Sequence, residues 1–112
     1  MKFWRKRKPE QAPTLVIQHD ALSDALTDLA GVFGDGMTAD HTGGGFTCTE
    51  ADTIARVLIV AGYREEAVTW LEGHASGDDC GDAHWHFDGE DDDQGRVLNE
   101  VELTEYAEEL AA

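Results

Sequence analysis

The chain has 112 residues, with 24 Asp plus Glu against 8 Lys plus Arg and a formal net charge of −16. That length fits one domain around one modest core, and the longest apolar run, Val57 to Ala61, is far short of the ~18 residues a membrane span needs. A folded body this acidic repels phosphate, which argues against a general nucleic-acid binder.

Residues 1–8 (MKFWRKRK) hold five basic side chains and no acid, while the remainder holds the other 3 basic residues and all 24 acidic ones. Residues 1–13 read as a flexible basic tail ahead of a single acidic domain, 14–112. Pro9, Glu10, Gln11, Ala12 and Pro13 stand where a secretory signal needs an apolar stretch of ~7–15 residues, so a cytoplasmic protein is expected, with Cys48 and Cys80 as reduced thiols. Phe3 and Trp4 in the basic tail invite contact with an anionic membrane, but stable anchoring needs two signals. The tail is therefore read as solvated.

Thr14 to Gln18 (TLVIQ) is β-branched and apolar, which predicts a short buried strand. Asp20 then caps a predicted helix with Leu22, Ala25, Leu26, Leu29 and Phe33 at helical spacing, ended by Gly34 and Gly36. Met37 to Gly45 carries no periodicity and three successive glycines, a loop, and Phe46 to Cys48 reads as a brief strand. Thr49 with Asp52 resembles a capping box opening a helix striped by Ala51, Ile54, Ala55, Leu58 and Ala61, the best-buried helix by pattern. Gly62 fits its C-cap. Arg64 opens a second helix in which Ala67, Val68, Leu71 and His74 share a face beside Trp70, completing a helical hairpin. One such hairpin with no second copy excludes a solenoid. Past Gly77 the chain has 13 acids and one base, Arg96. Trp85 and Phe87 alternate with His84 and His86 as in a short strand, Arg96 to Leu103 suits an edge strand, and Thr104 caps a final helix with Tyr106, Ala107 and Leu110 inward. The predicted class is α+β, a small domain with a central helical hairpin and a few short strands.

The stretch FTCTEADTIARVLIVAGYREEAVTWLEGHASGDDCGDAHWH, Phe46 to His86, resembles small acidic proteins of unassigned function from actinobacterial phages and mobile elements. The shared features are the TCTEAD helix start, a helix ending in AGY, and WLEGHASGDD. The resemblance covers about a third of the chain by these motifs. It implies an accessory, host-directed role and transfers no catalytic residue.

Four constellations bear on chemistry. His74, Cys80, His84 and His86 form a candidate Zn²⁺ set, with His84 and His86 on one face of a strand and Asp78, Asp79, Asp82 and Asp88 as further oxygen ligands or acceptors for the imidazoles. Glu90, Asp92, Gln94, Gly95 and Val97 follow the opening of a calcium loop, but Val101 stands where its bidentate Glu belongs, which argues against specific calcium binding. Cys48, next to a helix N-terminus, has the position of an activated thiol with His41 or His74 as base, yet nothing completes an oxyanion site, so no enzymatic activity is expected. Finally, Asp78, Asp79, Asp82, Asp88, Glu90, Asp91, Asp92, Asp93 and the last helix can imitate a line of phosphates. The leading expectation is a non-enzymatic accessory protein, phage-encoded, that binds a basic protein surface, such as that of a nucleic-acid-binding enzyme, as a mimic or inhibitor. The alternative is a small zinc-binding module.

Overall fold

The computed structural model describes residues 19–78, 82–87 and 95–112. In chain order these form α1 (His19–Phe33), α2 (Gly36–Thr42), a 3-10 turn (Gly43–Gly45), α3 (Cys48–Val60), α4 (Arg64–Ala75), β1 (Trp85–His86), β2 (Arg96–Val97) and α5 (Glu100–Ala111). With 74% of the described residues in helices, these residues form a helical assembly carrying one ribbon, so among them the α+β expectation reduces to a two-residue antiparallel pairing of Trp85 with Val97 and His86 with Arg96.

The hairpin of α3 and α4 is the centre of the fold. Thr47 caps α3: its hydroxyl accepts from the Glu50 N–H at 3.1 Å, and the Glu50 carboxylate accepts from the Thr47 N–H at 2.9 Å. At the other end the Tyr63 N–H reaches the Leu58 carbonyl at 2.8 Å and the Gly62 N–H reaches Ile59 at 3.1 Å, a paired closure that Gly62 permits with φ at 96°. Leu58 and Leu71 are both fully buried.

Of the two helices, α4 is the more deeply buried, because α1, α2, α3 and α5 all pack on it. Trp70 lies at its middle, fully buried. Its indole N–H donates to the Ala51 carbonyl at 3.0 Å, and Phe33 and Phe46 meet its ring edge-on at 5.0 and 5.3 Å. Such pairs contribute roughly 0.5–1.5 kcal/mol beyond their burial.

Several predicted boundaries move. The strand expected at Thr14 to Gln18 lies outside the described residues. Met37 to Gly45 is helix and 3-10 turn, because Asp35 caps α2 through the Thr38 N–H at 3.0 Å and α4 covers the segment. Phe46 to Cys48 is not a strand: Thr47 caps α3 two residues before the expected Thr49. The edge strand stops at Val97, because Asn99 caps α5 and pairs reciprocally with Glu102 at 2.9 Å in each direction. Thr104 therefore sits inside that helix, its hydroxyl on the Glu100 carbonyl at 2.8 Å. Among the described residues no helix is long and apolar enough to cross a membrane.

Candidate metal centre

An antiparallel hairpin sets the start of its first helix beside the end of its second. Cys48, the first residue of α3, is thereby brought to His74 in the last turn of α4. Asp78 follows His74 by one helical turn, in a turn closed by its own N–H on the Ala75 carbonyl at 2.8 Å. His84 comes back from the far side of the acidic segment. Its N–H donates to Asp78 Oδ2 at 3.1 Å, and its carbonyl takes the Leu98 N–H at 2.9 Å, extending the ribbon.

One donor atom from each of Cys48, His74, Asp78 and His84 lies within 4.8 Å of the other three. A tetrahedral ion bonded at ~2.0–2.3 Å holds its donors ~3.3–3.8 Å apart, so closure on an ion asks for movements of about 1 Å. His74 and His84 are buried, at 3% and 0% exposure, and the Asp78 side chain is 6% exposed. Cys48 is half-buried and opens with His74 and Asp78 onto a cleft of about 460 Å³ that Phe46, Asp82 and Ala83 also line.

The hydrogen bonds fix which nitrogens face the centre. His74 Nδ1 lies 2.7 Å from the Gly43 carbonyl, which can only accept, so Nδ1 carries the proton. In the neutral ring Nε2 is then an acceptor. It is buried without a hydrogen-bond partner among the described residues, and Asp78 Oδ1, 3.4 Å away, is an acceptor too. Two acceptors turned toward each other in a buried site call for a proton or a metal ion between them. His84 Nε2 faces Asp52 Oδ1 at 2.8 Å and its Nδ1 faces Asp78 Oδ2 at 2.9 Å. His74 thus gives Nδ1 to an oxygen and turns Nε2 to the common centre, while His84 holds a carboxylate at each nitrogen, and of these Asp78 belongs to the donor group and Asp52 lies behind the ring, as an orienting carboxylate does in metal sites.

Close backbone packing makes this possible. A Cβ on Gly43 would stand 2.7 Å from the His74 main-chain nitrogen, and one on Gly73 would stand 2.3 Å from the Ala39 carbonyl carbon. Only glycine lets the 3-10 turn and α2 approach α4 closely enough for the Gly43 carbonyl to reach His74.

Burial pushes the Cys48 thiol up from its ordinary value; a backbone hydrogen bond from Ala83 lowers it by less, and the charge and hydrogen bond of Asp78 and then the charge of Asp82 raise it further. This reverses the expected activation at the helix N-terminus. The thiol approaches the Asp78 carboxylate at 3.6 Å and is the softest donor of the group.

Of the residues predicted as zinc ligands, His74 and His84 are brought together, and Cys80 lies outside the described residues. His86 is exposed on β1 and outside the group; its charge acts on Glu102 instead. His41 is exposed on α2. In the predicted acidic surface, Asp78 is drawn inward and Asp82 lines the cleft, while Asp79, Asp88, Glu90, Asp91, Asp92 and Asp93 lie outside the described residues. Sequence reasoning weighed Cys48 only as a nucleophile, offered Asp78 as an oxygen ligand or an acceptor for the imidazoles, and gave no site role to Asp52 or Tyr106. The overlooked signal is two i,i+4 pairs, Cys48 with Asp52 and His74 with Asp78, at the hairpin ends that must meet. No family model matches the chain, and neither the curated proteins nor the solved structures hold a match to it.

Proposed function

We propose that the chain is a small, non-enzymatic metal-binding module that holds Zn²⁺ with Cys48 Sγ, His74 Nε2, an Asp78 carboxylate oxygen and His84 Nδ1. The observation that carries this reading is the buried His74 Nε2, which has no hydrogen-bond partner among the described residues and lies 3.4 Å from the Asp78 carboxylate. One thiolate, two imidazoles and one carboxylate favour zinc over calcium or magnesium, which take oxygen ligands. Two anionic and two neutral donors also balance a dication. Four protein donors leave no open position, which supports a structural role joining the start of α3, the end of α4 and the ribbon.

The test is metal content of the untagged protein after zinc addition and desalting, with Co²⁺ absorption as a reporter of thiolate ligation. About one equivalent is expected by the rule of one ion per four-donor site, lost in Cys48→Ser and His74→Ala and kept in Cys80→Ser and His86→Ala. No retained metal, or retention by both Cys48→Ser and His74→Ala, sinks the reading.

A second reading rests on the Glu72 carboxyl, which burial and then the charges of Glu100 and Asp40 push above its usual range. Glu72 shares a cleft with Glu65 and Glu100, and gathered carboxylates favour a cationic partner. In this reading the acidic surface, including Asp91, Asp92 and Asp93, binds a basic protein such as a nucleic-acid-binding enzyme, in the phage or host setting that the sequence resemblance implies. Capture of such a partner should weaken as salt rises; salt-independent capture would count against it.

A further inference from the structure

The zinc reading accounts for four side chains but not for the two that hold His84 from behind. Asp52 lies one turn along α3 from Cys48, and its Oδ1 is 2.8 Å from His84 Nε2. Its other oxygen, Oδ2, takes the Tyr106 hydroxyl at 2.5 Å, a short, charge-assisted bond. The Tyr106 ring meets the His84 ring edge-on at 4.9 Å, and His84 meets His74 in the same way at 4.9 Å. Tyr106 belongs to α5, which supplies none of the four donors.

We infer that Asp52 and Tyr106 are positioning residues for the bound ion: Asp52 orients and polarises His84, Tyr106 fixes Asp52, and the docking of α5 is thereby coupled to metal occupancy. The inference rests on the zinc reading and extends it from the donors to a helix that contributes none of them.

The physics runs through His84. A metal on Nδ1 withdraws electron density from the ring, which makes Nε2–H a stronger donor, and a carboxylate at Nε2 returns density and raises the basicity of Nδ1. The Asp52 charge therefore strengthens the metal bond, and the ion strengthens the hydrogen bond to Asp52. Tyr106 holds Asp52 in the rotamer this needs. Burial, followed by the bond to Asp52 and the Asp52 charge, pushes the Tyr106 hydroxyl up from its ordinary value, so it remains a donor at every pH at which the fold is used. Because coupling is reciprocal, an ion that tightens Asp52 on His84 also tightens Tyr106 on Asp52, and α5 with it.

The experiment uses the full chain, with Zn²⁺ titrated against a chromophoric chelator for the wild type, Asp52→Asn, Tyr106→Phe and the double variant. Asp52→Asn keeps an acceptor for Nε2–H but removes the charge, and should weaken zinc by ~10–100-fold, the usual cost of an outer-sphere partner. Tyr106→Phe keeps the ring against His84 and should weaken zinc by several-fold to about tenfold, for the same reason. In the double variant the loss should fall short of the product of the two, because Tyr106 acts through Asp52. Hydrogen exchange supplies a readout that simple packing does not move: zinc should slow exchange along α5 in the wild type and do so less in Tyr106→Phe. If Asp52→Asn does not fold, the isosteric Tyr106→Phe carries the test alone. Zinc binding by the wild type with unchanged affinity in Tyr106→Phe and no effect on α5 exchange overturns this inference and leaves the zinc site standing. No zinc binding by the wild type overturns both.

Discussion

A histidine that gives its Nδ1 proton to a main-chain carbonyl has one lone pair left, and where that lone pair points decides what the residue is for. His74 was legible in the sequence as an inward-facing residue of α4, since it follows Leu71 at helical spacing. Its partner Gly43 was not, because a carbonyl carries no sequence signal and the three glycines read as a loop. The same holds for Glu102, whose role depends on a cap the edge-strand reading hid. Arg96 grips both of its oxygens, at 2.7 and 3.1 Å, and with the Asn99 N–H lowers its carboxyl from 4.5 to about 2. A depressed carboxyl stabilises the fold above its unfolded value, and that contribution disappears as pH falls through the folded one. Side-chain carboxyl resonances followed by acid titration should therefore place the Glu102 midpoint near 2. Acid unfolding of Glu102→Gln should lack the part of the pH dependence that runs between 4.5 and about 2. A Glu102 midpoint at the ordinary glutamate value would show that the Arg96 pair does not persist in solution.

At the scale of elements, the hairpin was readable because α3 and α4 bury stripes long enough to show their period, and Gly62 marks the reversal between them. What could not be read is how closely α2 and α4 approach, since that depends on small residues at two distant positions fitting each other. Ala39 and Gly73 are that pair. Gly73→Ala places a methyl 2.3 Å from the Ala39 backbone, so α2 must move away. The expected cost is the ~1–3 kcal/mol of an overpacked core, with weaker metal retention because the Gly43 turn moves with α2. Gly31→Ala is the matched control. Gly31 is an exposed residue in the last turn of α1, and a methyl there would meet nothing within 4 Å, so replacing this helical glycine should stabilise, by up to ~0.5–1 kcal/mol. Denaturant melts of the two variants should thus shift in opposite directions. Equal shifts would mean that the contact between α2 and α4 is looser than these distances require.

For the whole molecule, the dominant quantity is the net charge of −16, and its distribution decides whether it merely solubilises the chain or also strains the fold. The described structure gathers Glu65, Glu72 and Glu100 around one cleft together with Arg64, and Arg64 is paired with Glu108. The Glu72 carboxyl is raised, by burial first and then by Glu100 and Asp40. A carboxyl raised in the folded state favours folding while protonated, and that contribution is lost as pH rises from its unfolded value through the folded one. At neutral pH the ionised Glu72 therefore opposes the fold. Glu72→Gln should raise the melting temperature at pH 7 and leave it nearly unchanged at a pH below ordinary glutamate ionisation. Glu72, Glu100 and Asp40 are all exposed, so salt should reduce the gain: screening at ~0.15 M confines exposed charges to ~8 Å. The wild type should accordingly melt higher as salt increases from low concentration, and more steeply than Glu72→Gln. Parallel salt curves for the two proteins, or a lower melting temperature for Glu72→Gln at pH 7, would show that the crowding at this cleft does not oppose folding and that the acidity is tolerated elsewhere on the surface.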